Sequence, residues 1–393
     1  MIDLASPDTY THGIPHEAFR ELRATTPVAW CPEVAGRGFW AITCYRDVVT
    51  VLRTPQLFSS WKGGVLLADP PPEFLGKLRE SLMNRDPPDH TQLRRLVNRT
   101  LSPRRLEQLE DRVAAHAAQL VAQIRGRGAC DFAVDVAEAM PLFVICEILG
   151  VPAADRRALY ALTDRMFSTE TADPAEAMKD KMAAAGEMRA YGGQLVQRKR
   201  IAPEDDLMSE LAAEPSLTDG ELQAFFMLLF NAGTDTTRSL LSYGLDLLLD
   251  RPDVADHLRA DASRIPLAIE EMLRYQPPVI QIRRTATQAT ELAGAQIAEG
   301  DKVVVFFPSA NRDEAVFPDP DGFDPERSPN DHIAFGSGAH FCLGAPLARL
   351  EAKHVFRELL AQLGDLARDG PMIPARTNFV RSIRRLPIRY TAR

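Results

Sequence analysis

Apolar and polar positions follow two different periods along this chain. In residues 1–65, short β-like runs such as GFWAIT (Gly38–Thr43) are separated by turn residues. From about 90 to 275 the spacing becomes helical, as in LEQLEDRVAAHAAQLVAQI (Leu106–Ile124). Short strands return after Pro277, as in DKVVVFF (Asp301–Phe307). The Pro- and Asp-rich segment Pro318–Asp331 should be irregular, and a last helix begins near Cys342. The chain has no internal repeat, no low-complexity tract and no marked linker. The pattern predicts one domain over residues 1–393, mainly α-helical, with a smaller β-rich portion at its two ends.

The most apolar helical stretch is Phe226–Asp250. Thr218 and Glu221 form a plausible capping box before it, and Arg251-Pro252 ends it. Such a helix spans roughly 50 Å, enough to cross the molecule, and should be buried. Burying Asp235, Thr236 and Thr237 in it needs a reason, because unpaired buried polar groups are costly. One reason is structural: the threonines bond back to helix carbonyls and bend the helix.

Composition narrows the function classes. Among 393 residues, 45% are apolar, enough for a large core. The formal net charge of -8 argues against a nucleic-acid binder. No basic start leads into an apolar run, and no segment of about 20 apolar residues occurs, so no membrane span is expected and a cytoplasmic location is. The five scattered cysteines contain no metal-type pair and fit a reducing compartment.

One cysteine stands apart. In AFGSGAHFCLGAPLARLE (Ala334–Glu351), Cys342 lies among Gly336, Gly338 and Gly344, just before helical spacing begins. Glycines permit close approaches that side chains forbid, and a helix N-terminus favours a thiolate. Such a thiolate serves as a nucleophile or as a metal ligand. The plainer reading is a buried structural cysteine. The pattern Phe335-x-x-Gly338-x-x-x-Cys342-x-Gly344 is too constrained for that.

Over essentially its whole length the sequence resembles the cytochrome P450 family of the soluble bacterial type. The resemblance implies that fold, with haem b between the long central helix and the cysteine-ligand loop. It makes Cys342 the proximal iron ligand, with Phe335, Gly336 and Gly344 shaping its loop, and thiolate ligation favours O–O cleavage. His90 and Arg94, four apart on one helix face in DPPDHTQLRRLV (Asp86–Val97), match propionate partners, although alone such a pair is a solvated face. His340 and Arg284 match the remaining propionate partners, with Arg283 the alternative to Arg284. Ala232 and Gly233 would let a flat cofactor and dioxygen approach the central helix. Asp235 and Thr236 would be the acid–alcohol pair that relays protons. Glu271 and Arg274, with Arg327 of FDPER, match a structural network that pins the irregular segment.

The implied activity is that of a monooxygenase, which oxidises a hydrophobic small molecule, by hydroxylation or oxidative coupling, with O2 and two externally supplied electrons. The electrons would come from NAD(P)H through a ferredoxin reductase and a ferredoxin, the latter docking on Arg95, Arg99, Arg349 and Lys353. A monomer is expected. A haem-thiolate sensor or carrier, and a peroxide-driven or rearrangement catalyst, are the alternatives. Substrate specificity should come from Trp61–Arg85, Met166–Lys181, Val279–Ile282 and Asn378–Val380, with Val279, Ile280 and Phe379 as contacts. Asn231, an amide in an apolar helix, is expected to hydrogen-bond a polar group of the substrate.

Overall fold

The computed structural model describes residues 2–34, 36–100, 103–167 and 174–393, without the side chains at 99, 100, 103, 104, 167, 174 and 175. Its axis is a helix of 32 residues, Asp219–Asp250. The capping box closes its N-terminus. The Glu221 amide donates to Thr218 Oγ1 at 3.2 Å, and the Thr218 amide donates to Glu221 Oε2 at 2.9 Å. Arg251, which precedes a proline, leaves the helical conformation and ends it.

Among the helices that pack on this axis are Ala139–Leu149, Pro174–Ile201, Ile265–Tyr275 and Ala345–Gln362. Its first half, with Phe225, Phe226 and Phe230, shares an apolar core with Leu149, Met188 and Leu207. Its second half, with Leu240, Leu241, Leu245 and Leu248, shares another with Val355, Phe356 and Leu359. Between the two halves burial lapses: Ala232 is exposed, and Asn231, Gly233, Asp235 and Thr236 are half-buried.

The β portions of the two chain ends meet in one sheet. Its strand order is Val28–Cys31, Phe39–Ile42, Lys302–Phe306, Gln281–Ala286, Phe58–Ser59. Phe39–Ile42 runs parallel to Lys302–Phe306, with Trp40 opposite Val303, and the other pairings are antiparallel. Lys302–Phe306 is buried at every position, and after Lys302 it reads as an unbroken apolar run. The helical spacing at Leu106–Ile124 lies inside a helix, Pro103–Arg125. Residues 318–331 hold no helix or strand. The last helix starts at Ala345, just after Cys342, because Gly344 caps it and Pro346 sits in its first turn, where a missing N–H costs nothing.

Candidate active site

The cysteine loop is built against the helix Tyr45–Arg53. Gly336 and Gly338 have φ of 75° and 72°, values that side chains disfavour. A Cβ on Gly338 would lie 2.8 Å from the Leu52 carbonyl oxygen, so the loop closes there only with glycine. Arg53 Nε donates to Ser337 Oγ at 2.8 Å, and the Cys342 amide donates to the Phe335 carbonyl at 2.8 Å. Leu343 packs on the apolar core that holds Phe230 of the central helix, which ties loop and helix together.

Burial pushes the Cys342 thiol above its ordinary value, and the Gly344 amide, the Arg94 and Arg349 charges and the Ala345 amide only partly oppose it. A thiolate at this position therefore needs a cation facing it.

Beside the loop lies a cluster of cations and imidazoles. Arg94, on the helix Asp89–Thr100, donates to the Ala339 carbonyl at 3.0 Å. The His90 and His340 rings lie 4.0 Å apart. His90 Nδ1 and His340 Nε2 are buried and have no hydrogen-bond partner among the described residues. Burial first, then the Arg94 charge, holds His90 down to about 4. Burial, the Arg284 charge and His90 push His340 down to about 2.

Strand alternation sends the two adjacent arginines to different neighbours. Arg283 turns to Asp69, with Nη1 at 2.8 Å, on the side where Lys302 also pairs with Asp69. Arg284 turns to the histidines; it is buried, held down to about 10 by that burial, and donates to the Arg283 carbonyl at 2.9 Å. The half-buried Arg94, the buried Arg284 and two unpartnered imidazole nitrogens form a cluster suited to anions. The two propionates on one edge of haem b fit it.

The central helix supplies the opposite wall. Thr236 Oγ1 donates to the Ala232 carbonyl at 2.8 Å, the back-bond of a mid-helix threonine. Asp235 is raised to about 7, first by burial, then by Asp164 and Glu138 against the Arg238 charge. Gly233 needs a correction. Its missing side chain faces another helix: a Cβ there would lie 2.9 Å from Ile145 Cδ1 and 3.3 Å from Ile145 Cβ. Gly233 lets two helices pack, and the exposed Ala232 alone presents a small residue to the open turn.

Asn231 has partners within the chain. Its Oδ1 accepts from Thr163 Oγ1 at 2.8 Å, and its Nδ2 lies 3.9 Å from Met166 Sδ, both on the helix Arg156–Phe167. The half-buried amide therefore needs no substrate to satisfy it, which removes the reason for expecting that contact. Asn231→Leu is expected to destabilise the fold by about 1–3 kcal/mol, because it strands the fully buried Thr163 hydroxyl. Adding Thr163→Val should restore most of the loss in a denaturant titration. Additive losses from the two changes would contradict this pairing.

The expected specificity segments near 280 and 379 do come together. The Ile280 amide donates to the Phe379 carbonyl at 2.8 Å, and Val279 pairs with Val380 in an isolated bridge. Val279 and Phe379 remain half-buried. Ile280 does not reach the site. It is fully buried in the core with Phe19, Phe39 and Phe306, because alternation sends its side chain to the opposite face from Val279. Arg85 ties the end of Trp61–Arg85 to Glu221 of the central helix at 2.7 Å. The Met166–Lys181 segment lies partly outside the described residues.

Glu271, Arg274 and Arg327 meet. Both Glu271 and Arg274 are fully buried, with two bonds of 2.7 Å between them. Arg327 Nε reaches Glu271 at 3.2 Å, and the two arginines also bind the carbonyls of Asn311, Pro318, Asp319, Pro320 and Gly322. The expected basic patch is partly neutralised: Arg349 makes two bonds of 2.7 Å to Glu270, and Lys353 binds Glu110 at 2.8 Å. Arg95 is exposed, and the Arg99 side chain lies outside the described residues.

A thiol loop, an anion site and an opened helix turn together define a haem-thiolate protein. The cytochrome P450 family model matches residues 175–364, and the chain belongs to the cytochrome P450 family. It is 35% identical to the steroid C26-monooxygenase of Rhodococcus jostii (strain RHA1), over 99% of this chain and 84% of that protein. It is 36% identical to the methyl-branched lipid omega-hydroxylase of Mycobacterium tuberculosis (strain ATCC 25618 / H37Rv), over 95% of this chain and 90% of that protein. A Mycobacterium marinum cytochrome P450 in complex with pseudoionone superposes with a TM-score of 0.89 at 38% identity, over 95% of this chain and 94% of that one. A Bacillus megaterium cytochrome P450 in complex with corticosterone does so with a TM-score of 0.84 at 33% identity, over 96% and 98%. The protein is a cytochrome P450 monooxygenase and its cofactor is haem b. No helix among the described residues is long and apolar enough to cross a membrane.

Proposed function

We propose that this monooxygenase hydroxylates a steroid, an isoprenoid or a methyl-branched aliphatic chain, with electrons passed from NAD(P)H by a separate reductase and ferredoxin. The observation that carries the chemistry is the opened turn Asn231–Thr236, where an acid poised near neutrality adjoins a hydroxyl between the two apolar halves of the central helix. Support for the substrate class comes from the steroid and branched-lipid oxygenases above and from relatives that hold corticosterone and pseudoionone. The half-buried Val279 and Phe379 are apolar, as a hydrocarbon skeleton requires.

Haem, when bound, supplies dioxygen activation. Cys342 would hold it from one side, and Arg94, Arg284, His90 and His340 would hold its propionates. The remaining work belongs to the chain. A carboxyl at about 7 is part protonated and part ionised at neutral pH, so Asp235 both releases a proton and regains one. The Thr236 hydroxyl, fixed by its bond to the Ala232 carbonyl, keeps lone pairs free to accept and pass that proton. Steroids, isoprenoids and branched fatty acids titrated into the holoenzyme should shift its Soret band at micromolar concentrations. A set of aromatic or peptide ligands doing so instead would overturn the substrate class. Thr236→Ala should leave substrate affinity within about twofold yet divert most of the NAD(P)H consumed into peroxide. Product yield per NAD(P)H equal to the native enzyme would contradict the role of the hydroxyl.

A further inference from the structure

Asp235 does not sit alone on its side of the central helix. Arg238 follows it by three residues, on the same face, and is buried. Its Nη1 donates to the Tyr160 hydroxyl, its guanidinium lies 5.8 Å from the Tyr160 ring centre, and its Nη2 lies 3.4 Å from Glu138 Oε2. Three elements converge here. The central helix brings Asp235 and Arg238. The helix Arg156–Phe167 brings Tyr160 and Asp164. The π-helical turn Ala133–Glu138 brings Glu138.

The charges do not cancel. Asp235, Asp164 and Glu138 act on one another, and Arg238 is the cation buried among them, with Arg157 acting on Glu138 alone. Asp164 is exposed, and Glu138 retains 23% of its side-chain surface, so protons from solvent can reach the cluster at both. Burial raises Glu138 as well as Asp235. Tyr160 is buried and its hydroxyl anchors the guanidinium rather than titrating: burial lifts it far above the usual phenol range.

We propose that Arg238, Glu138 and Tyr160 are positioning residues for the acid–alcohol pair. The Glu138–Arg238 ion pair sets how readily Asp235 holds a proton, and the Tyr160 hydroxyl keeps the guanidinium where it can do so. This rests on the reading of Asp235 as the proton carrier. The signs follow from the charges. Arg238 favours ionised Asp235, so removing it raises the pH at which Asp235 ionises. Glu138 disfavours ionised Asp235 and also occupies Arg238, so neutralising it lowers that pH.

The test is infrared titration of the holoenzyme between pH 5 and about 9, following the carboxyl band that Asp235→Asn abolishes. Arg238→Gln should move its midpoint up by about one pH unit or more, and Glu138→Gln should move it down. Tyr160→Phe should give a smaller upward shift. Opposite shifts from two neighbouring substitutions are not produced by a loss of packing. Midpoints that stay fixed, or that move in the same direction, overturn the proposal. If Arg238→Gln does not fold, Glu138→Gln decides alone, and an unmoved midpoint sinks the idea. The yield of product per NAD(P)H, measured over the same pH range, should shift with the band. If the band moves and the yield does not, the positioning set stands and the assignment of Asp235 as proton carrier fails.

Discussion

Cys342→Ser is expected to abolish the red-shifted Soret band of the reduced, carbon monoxide-bound holoprotein. That band depends on a thiolate held to the haem, and a serine hydroxyl stays protonated and donates little charge. The loop should survive the change, because Gly336, Gly338, the Cys342 amide bond and the Arg53–Ser337 bond do not involve the sulfur. Haem should still bind in part, since the cluster of Arg94, Arg284, His90 and His340 is untouched. The other thiols lie elsewhere in the fold: Cys31 and Cys146 are buried in apolar cores, Cys44 precedes the helix Tyr45–Arg53, and Cys130 is in the strand Ala129–Asp131. Persistence of the shifted band in the serine variant would assign the ligand elsewhere.

The second large effect lies away from the chemistry. Glu271→Ala should destabilise the protein by about 3–5 kcal/mol, because it leaves the fully buried Arg274 and the nearly buried Arg327 without their counter-charge. It also strands the Asp324 amide and the Asn330 side chain, which donate to the same carboxylate at 3.0 and 3.1 Å. Total stability of a domain is only about 5–15 kcal/mol, so holoprotein yield should fall sharply. Glu299→Ala is the control: it breaks an exposed pair with Lys62 and should cost about 1 kcal/mol or less. Equal midpoints for the two variants in a urea titration would show that the network carries no special load.

What the sequence disclosed was mostly local. The central helix was legible because its capping box, its apolar run and its terminating proline are written within one segment. The cysteine loop was legible because its glycines answer to one short backbone path. The errors came where a residue's direction depends on a distant neighbour. Val279, Ile280 and Ile282 are all apolar, so alternation could not say that Ile280 would be fully buried while Val279 stays half-buried. Gly233 looked like a gap for a cofactor until Ile145, on another helix, filled it. Asn231 looked unsatisfied until Thr163 reached it. Arg238 gave no signal at all, since its partners Tyr160 and Glu138 are 78 and 100 residues away.

As a monooxygenase, this chain should reduce dioxygen and insert one of its atoms into a hydrophobic skeleton. The most direct measurement is isotopic: holoenzyme, ferredoxin, ferredoxin reductase, NAD(P)H and a steroid or branched-lipid ligand that shifts the Soret band, supplied with oxygen-18 gas. The expected product gains one labelled oxygen atom, with one NAD(P)H consumed for each product formed. A product whose new oxygen comes from water or added peroxide, or a rearranged product with no new oxygen, would contradict it.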